Sequence, residues 1–224
     1  MTQALPQPGS TPRTRVKRIP EKAVTDRETA YAILDAGLVA HVAVVTDGQP
    51  YVVPVGYARR GDEVIFHGSS ASRLFKTLAA AAPTCLTVTL LDGLVLARSL
   101  FESSMHYRTV MALGSCRQLE GDEEVAALLD LSERLMPGRT TDARHPEPQE
   151  LKATITLALP LYEISVKVGD GPPEDVPEDL VDPVYSRIWA GWVPITESFG
   201  EPVADELAEG IAVPVPDYVR QWRR

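Results

Sequence analysis

Apolar residues recur every three or four positions in three stretches of the chain, and this spacing predicts three helices. The first should begin at Thr25 or Asp26, since both side chains are good helix N-caps, and should end at Gly37. The second should span residues 73–81 and the third residues 123–135. The apolar positions of the third helix form one stripe, which indicates a helix that packs on a larger core.

The other apolar runs are rich in β-branched residues and lie between turn signals, which is typical of strands. Asp47-Gly48 is the strongest hairpin signal, and Asp92-Gly93 predicts a second tight turn. Pro160 lies inside the longest run, where it favours an edge strand or a bulge. The predicted strands cover residues 39–45, 51–57, 63–67, 84–91, 94–101, 107–119, 151–168 and 186–195.

These elements predict a mainly β fold, because strands dominate and no regular strand–helix–strand alternation is present. Short turns favour antiparallel pairing, and a closed barrel removes exposed sheet edges. We therefore expect one small antiparallel barrel with flanking helices at residues 25–200. Residues 1–24 are interpreted as a flexible basic arm, residues 169–183 as an exposed acidic loop, and residues 201–224 as a tail.

Composition narrows the class of protein. The 224 residues are 44% hydrophobic, which is enough for a proper core. Lys and Arg number 22 against 31 Asp and Glu, so the net charge of −9 argues against a nucleic-acid-coating protein. No run approaches the roughly 18 apolar residues of a membrane span, and no signal-peptide-like run is visible. With only two cysteines, these features predict a cytoplasmic protein.

Several common chemistries have no motif in the chain. Cys85 and Cys116 cannot form a disulfide framework, and four scattered histidines have no metal-ligand spacing, so no metal site is predicted. Nucleophile-elbow, P-loop and GxGxxG patterns are absent. His41 is interpreted as a core or dimer-contact histidine.

Residues 66–73 form the first candidate site, at a strand-to-helix junction. Backbone N–H groups at a helix N-terminus attract anions, and Gly68 lets the backbone approach a ligand. Serine hydroxyls donate to phosphate oxygens, and Arg73 can bind them through two N–H groups. The alternative is an ordinary cap by Ser70 or Ser72 beside a solvated arginine, and spacing alone leaves both interpretations open.

Two further aromatic segments could hold a flat ligand. Tyr107 and Arg108 at a strand start can stack on a ring and hold an anion, or Tyr107 can pack while Arg108 pairs with a carboxylate. Gly191 lies between Trp189 and Trp192, which suggests a surface that a flat group approaches. The alternative is a packed core or dimer strand.

In this order and spacing, the segments resemble the flavin-nucleotide-binding proteins related to pyridoxamine 5'-phosphate oxidase. The resemblance runs from about residue 25 to about residue 200, and it depends on the set rather than on one motif. The segments that carry it are residues 40–45, 48–54, 65–73, 87–97, 104–110, 137–139 and 189–191.

The resemblance implies the FMN-binding split barrel, usually a homodimer with two FMN sites at the subunit interface. It implies that Ser72 and Arg73 hold the FMN phosphate. It also implies a set of residues that line the flavin and a second set that close the site, which the partner subunit could supply. The lining residues are Pro54, Val55, His67, Gly68 and Ser69, and the closing residues are Tyr107, Arg108 and Trp189, with Lys167 also within reach.

The implied function is an FMN-dependent oxidoreductase that acts on a small organic substrate. His67 is the candidate for proton transfer, because histidine titrates near neutral pH, although it could merely pack on the ring. His106 and Thr109 stand where relatives often have Asn and Ser, which leaves substrate identity open. The C-terminal end lacks the basic residues that a pyridoxamine-phosphate oxidase uses for its substrate, so vitamin B6 salvage is not expected.

Two alternatives from other classes stay open. The first is a flavin carrier or sensor without turnover, which a narrow, closed site would favour. The second is a split-barrel protein that binds haem or a deazaflavin instead of FMN. Haem requires an axial ligand, which His41, His67 or His106 could supply.

Overall fold

A computed structural model describes residues 5–205 and 213–222, in which nine strands form one curled antiparallel sheet. The strand order is β6-β7-β3-β2-β1-β4-β5-β8, with β9 paired to β4. The strands are β1 (Val39–Thr46), β2 (Gln49–Arg60), β3 (Glu63–Ser69), β4 (Pro83–Leu96), β5 (Ser104–Ser115), β6 (Arg117–Leu119), β7 (Thr154–Pro160), β8 (Glu163–Gly169) and β9 (Gly191–Pro194).

Short helices flank this sheet, and the three predicted helices are confirmed. Asp26 caps the first, since its Oδ2 accepts a hydrogen bond of 2.8 Å from the Thr29 N–H. The α-helices are α1 (Arg27–Ala36), α2 (Arg73–Ala79), α3 (Gly121–Leu135), α4 (Pro148–Lys152), α5 (Pro177–Val181) and α6 (Asp217–Arg220). Single 3-10 turns lie at Pro20–Lys22, Arg139–Thr141 and Tyr185–Arg187. The mainly β architecture with flanking helices is therefore as predicted.

The two Asp-Gly signals have opposite outcomes. Asp47 and Gly48 both have positive φ, 52° and 77°, and they join β1 to β2 as a tight hairpin. Asp92-Gly93 does not turn the chain. Strand β4 continues through it, and the pairing with β5 slips by one residue between Leu91 and Gly93. The prediction of two strands was wrong here, because both halves find partners on β5 and the extra residue forms a bulge.

Two other strand predictions were also too long. The run at 151–168 divides into the end of α4, then β7, then β8, and Pro160 ends β7 where the chain turns back. Only Gly191–Pro194 of the predicted strand 186–195 is extended in the sheet, after a 3-10 turn. The acidic loop at 169–183 is mostly exposed, and it contains α5.

The sheet buries apolar side chains on both of its faces. The main core fills the concave side, where α1 and α2 pack over the inward side chains of most strands. A smaller core forms on the outer side, where α3 covers β2, β3 and β7. Each fully buried large aliphatic side chain contributes roughly 1.5–3 kcal/mol to folding. The smaller core consists of Ala58, Ile65, Leu119, Ala127, Leu131 and Ala158.

Beside α3, the outer side of β1 and of the first half of β2 is exposed in the described residues. Val39 and Val45 on β1 and Val52 on β2 are about half exposed or more, at 49, 62 and 61%. Val52 pairs with Ala43, and Pro54 pairs with His41, so these residues share one face. We call this surface of β1 and the first half of β2 the uncovered face.

Both terminal segments contact the rest of the fold. In the segment interpreted as an arm, Gly9 N–H donates to Ile164 O at 2.8 Å, and Val24 N–H donates to Val166 O at 3.1 Å. These bonds cover the β8 edge, which would otherwise expose unpaired backbone groups. In the predicted tail, Trp222 Nε1 donates to Pro137 O at 2.9 Å. Residues 1–4, 206–212 and 223–224 lie outside the described residues.

Within the described residues, no helix has the length and apolar character needed to cross a membrane.

Candidate functional site

The junction between β3 and α2 forms a tight loop held by its own backbone. Ser70 N–H donates to Ala153 O at 2.8 Å, which ties the loop to the residue before β7. Ser72 N–H donates to Ser69 O at 2.9 Å, and Ala71 N–H donates to Ser69 Oγ at 3.2 Å. The loop therefore presents the first turn of α2 in one orientation.

The side chains of Ser72 and Arg73 lie at this turn without the roles that an ordinary cap would give them. Ser72 occupies the N-cap position, yet its side chain caps no backbone N–H of the helix. Arg73 is exposed, and its guanidinium carbon lies 4.0 Å from the centre of the Tyr51 ring. It forms no ion pair with a carboxylate in the described residues. The junction thus offers a hydroxyl and a guanidinium to an anion.

Gly68 serves the packing of α2. A Cβ at this position would lie 2.1 Å from Phe75 Cε2, so only glycine leaves space for the ring. Phe75 packs in turn on Phe66, with the ring centres 5.9 Å apart. From the sequence, Gly68 was predicted to let the backbone approach a ligand. Within the chain, its close neighbour is the Phe75 ring.

His67, Pro54 and Val55 lie near the junction but face different ways. His67 is exposed at the end of β3, and partial desolvation lowers its pKa, so the imidazole is neutral at pH 7. Pro54 belongs to the uncovered face, where it pairs with His41. Val55 points to the opposite side and packs against the main core. The structure therefore places His67 and Pro54 at the surface and the Val55 side chain against the main core.

Arg108 and Tyr107 on β5 are engaged within the chain. Arg108 donates to both carboxylate oxygens of Asp92, from Nε at 2.8 Å and from Nη2 at 2.6 Å. These bonds raise the pKa of Arg108 and fix the guanidinium against the β4 bulge. Tyr107 packs over Gly169, whose Cβ position lies 3.2 Å from the ring. The interpretation in which Tyr107 packs and Arg108 pairs with a carboxylate describes this chain.

Trp189 and Lys167 are the other two residues that were predicted to close the site or reach it, besides Tyr107 and Arg108. The Trp189 side chain is 64% exposed, and its ring lies 2.8 Å from the Cβ position of Gly191. The flat group that approaches Gly191 is therefore Trp189 itself. Lys167 lies on β8 and forms an isolated bridge with Ala23.

The predicted residues thus form two groups on different parts of the sheet. One lies on β2, β3 and α2, and the other on β5, β8 and the segment before β9, with β1 and β4 between them. Along the sheet, β3 and β5 are four strand spacings apart, which is roughly 19 Å. No contact between the two groups is found within the described residues, so one copy of the chain does not assemble all of them into one pocket.

His106 is buried and contacts other parts of the chain. It is 9% exposed, and its Nε2 lies 2.7 Å from the carbonyl oxygen of Gly171 in the acidic loop. Its ring centre lies 5.6 Å from that of Trp192. The departure from the family pattern at this position is therefore a packing contact between β5, β9 and the loop.

Sequence reasoning missed a cavity of about 690 Å³ that we call the Trp222 cavity. It lies between the ends of α1 and α3, the β4 bulge and the C-terminal segment, and Arg108 is the predicted residue in its wall. The wall consists of Asp35, Ala36, Leu38, Leu90, Leu91, Asp92, Arg108, Arg134, Leu135, Pro137, Ile195, Thr196, Glu197, Phe199, Gln221 and Trp222.

A protein-family model described as pyridoxamine 5'-phosphate oxidase matches residues 26–168, which is more than half of the chain. The chain belongs to this family. The resemblance stated from the sequence is therefore confirmed. No curated protein matches the chain.

Solved structures support the assignment over almost the whole chain. An FAD and haem binding protein from Mycobacterium smegmatis is 40% identical, with 89% of this chain and 96% of that chain covered and a TM-score of 0.82. A flavocytochrome from Azotobacter vinelandii is 39% identical, with 97 and 99% covered and a TM-score of 0.87. A Bacteroides thetaiotaomicron protein, 20% identical over 65% of this chain and 86% of its own, has a TM-score of 0.57 and supports the fold alone. The split barrel is thus confirmed.

Proposed function

We propose that this chain is a flavin-dependent oxidoreductase that holds the flavin phosphate at Ser72 and Arg73. The observation that carries the proposal is the guanidinium of Arg73, which rests on Tyr51 without a carboxylate partner in the described residues. The Ser72 hydroxyl beside it is not used as a helix cap. In a member of this family, these groups are the expected donors to a phosphate.

FAD is our first choice of flavin, and FMN is the second. The sequence resemblance implies FMN, whereas one relative of 40% identity is described as binding FAD and haem. Both flavins carry a phosphate after the ribityl chain, so Ser72 and Arg73 would serve either of them. The adenosine half of FAD would need further contacts.

The bound flavin would supply the transfer of a hydride or of single electrons. The residues of the chain position it: Arg73 and Ser72 bind the phosphate, and Pro54 lines the ring from the uncovered face. His67 is neutral at pH 7, because desolvation lowers its pKa, so a ring nitrogen can accept a proton from a substrate.

We also propose a homodimer that pairs through the uncovered face. Val39, Val45 and Val52 expose an apolar surface that solvent does not favour, and it adjoins Pro54 of the flavin site. A second copy could bring its Trp189 and Lys167 to the junction, which lies several strands away from these residues along the sheet of one chain. Sedimentation at micromolar concentration tests this, and a monomer that binds flavin with full affinity would contradict it.

A haem group is a second candidate, because the two relatives of 39–40% identity are described as an FAD and haem binding protein and a flavocytochrome. Haem iron takes neutral imidazole as an axial ligand. His106 fits poorly, since it is buried and its Nε2 contacts Gly171 O. His67 fits better, because it is exposed and the lowered pKa keeps it neutral.

An absorption spectrum of the purified protein, with the released cofactor identified by mass, tests both proposals. Flavin bands without a Soret band support the flavoprotein, and both signals together support a flavin and haem protein. Bleaching of the flavin by a reduced nicotinamide donor, followed by recovery with an organic acceptor, supports an oxidoreductase. A flavin that no donor reduces would favour the carrier or sensor.

A further inference from the structure

The Trp222 cavity has mostly apolar walls and the size of a small-molecule site. Its volume of about 690 Å³ is within the range of roughly 300–1,000 Å³ that such sites occupy. Leu38, Leu90 and Leu135 line it from the barrel side, and Phe199 and Trp222 line it from the C-terminal segment. An organic ligand with a flat, apolar body would match these walls.

The C-terminal wall of the cavity is held in place by specific contacts. Trp222 Nε1 donates to Pro137 O at the end of α3, at 2.9 Å. The Trp222 ring lies 6.0 Å from the Phe199 ring and 6.4 Å from the Tyr218 ring, centre to centre. The C-terminal side of the cavity is therefore formed by an anchored segment.

Among the charged residues that the structure describes in the wall, one arginine has no carboxylate partner. Asp35 accepts two hydrogen bonds from Arg59, at 2.9 and 2.5 Å, and Asp92 is paired with Arg108. Glu197, the third carboxylate of the wall, also has a partner. Arg134 makes one long hydrogen bond, of 3.4 Å from Nη2 to Gly37 O, and no ion pair within the described residues.

We infer that the Trp222 cavity binds an aromatic or similarly apolar organic acid, with its anionic group on Arg134. A guanidinium with free N–H groups is well suited to a carboxylate or sulfonate, and the apolar wall takes the body of the ligand. The wall contains no His, Cys, Met or Tyr from the described residues, so it lacks an axial ligand for haem. Ser72 and Arg73 are not part of it, so this site is separate from the proposed phosphate site.

Two fluorescent probes test the inference on the purified protein, with the flavin content read from the same sample. Anilinonaphthalene sulfonate is an aromatic anion, and N-phenylnaphthylamine is a neutral aromatic molecule of similar shape. We expect both probes to bind, because both have apolar rings. Arg134→Gln should weaken the anionic probe by about tenfold, the range of a lost charge-assisted hydrogen bond, and leave the neutral probe within twofold.

Three further variants separate charge, volume and folding. Arg134→Lys keeps the charge and should bind the anionic probe within about threefold of the wild-type affinity. This variant is the one to measure if Arg134→Gln fails to fold. Thr196→Trp puts a ring into the space and should reduce the binding of both probes. Arg15→Gln removes an exposed arginine outside the wall and should change neither.

Three results would overturn the inference. The first is that neither probe binds the native protein. The second is that Arg134→Gln and Arg15→Gln bind the anionic probe equally well. The third is that the anionic probe releases the flavin or binds only flavin-free protein, since the cavity would then be part of the cofactor site. Each outcome is distinct from loss of the proposed flavin function, because flavin content is measured separately.

Discussion

Arg73 and Arg108 were both predicted to contact a flavin, and the structure places them in very different surroundings. Arg108 gives two hydrogen bonds to Asp92 across the β4 bulge. Arg73 lies on the face of the Tyr51 ring without a carboxylate partner in the described residues. The difference shows that an arginine in a family motif is available to a ligand only where the fold has not already paired it. The proposed flavin site therefore depends on the β3–α2 junction.

Among the variants that test this comparison, removal of the Arg73 guanidinium should have the largest effect, which is a loss of flavin affinity. Arg73→Ala should weaken flavin binding by about 1.5–3 kcal/mol, because a charge-assisted hydrogen bond to the phosphate is lost. Fluorescence titration of the flavin-free protein with FMN and with FAD measures the change. The matched control is Arg108→Ala, and equal losses for the two variants would contradict the assignment.

Gly68→Ala should separate the packing role of the junction from its binding role. The new methyl group meets the Phe75 ring, so the free energy of unfolding should fall by about 1–3 kcal/mol. Urea denaturation measures the change, and Gly171→Ala, where nothing lies within 4 Å, is the control. Phe75→Leu in the same chain should restore part of the loss. Full stability of Gly68→Ala would refute the packing role.

Arg108→Ala should be a mild change in stability. Its ion pair with Asp92 is partly exposed, and such pairs contribute about 0.2–1 kcal/mol. Flavin affinity should change by less than threefold, since the guanidinium is already occupied by Asp92. Thermal unfolding and flavin titration of one preparation measure both quantities. A tenfold loss of flavin affinity would return Arg108 to the cofactor site.

The smallest expected effect is a pH dependence due to His67. Desolvation lowers the pKa of His67 in the folded state, so the unfolded chain binds the extra proton first as pH falls. The free energy of unfolding should therefore decrease as pH falls below the ordinary value of about 6.5. Urea denaturation at pH 7.5 and 5.5 should show a smaller decrease in His67→Gln. An identical decrease in both proteins would exclude His67 as its source.

Local signals were the predictable part of the fold. Asp26 caps α1 and Asp47-Gly48 forms the β1–β2 hairpin, because each depends on residues only a few positions apart. Asp92-Gly93 has the same chemistry as Asp47-Gly48, yet it forms a bulge. Its conformation depends on the pairing of Leu91 with Tyr107 and of Gly93 with His106 on β5, which no local pattern contains.

Long-range contacts explain what the sequence could not predict in the candidate site. The choice of Asp92 as the partner of Arg108 requires the β4–β5 register, since the chain offers 31 carboxylates. The Trp222 cavity joins side chains from residues 35–38, 90–92, 108, 134–137, 195–199 and 221–222, whose proximity appears only in the folded chain. The family resemblance predicted a phosphate site at Ser72 and Arg73, because that segment is continuous in sequence.

The flavin content of the wild-type protein and of Arg73→Ala, purified side by side, tests the central claim most directly. Absorption spectra and the mass of the released cofactor give the amount and the kind of flavin in each. The account predicts a yellow wild-type protein that carries FAD or FMN, and a variant that loses most of it on dialysis. A colourless wild-type protein that binds neither added flavin, or a variant that keeps its flavin fully, would contradict the account.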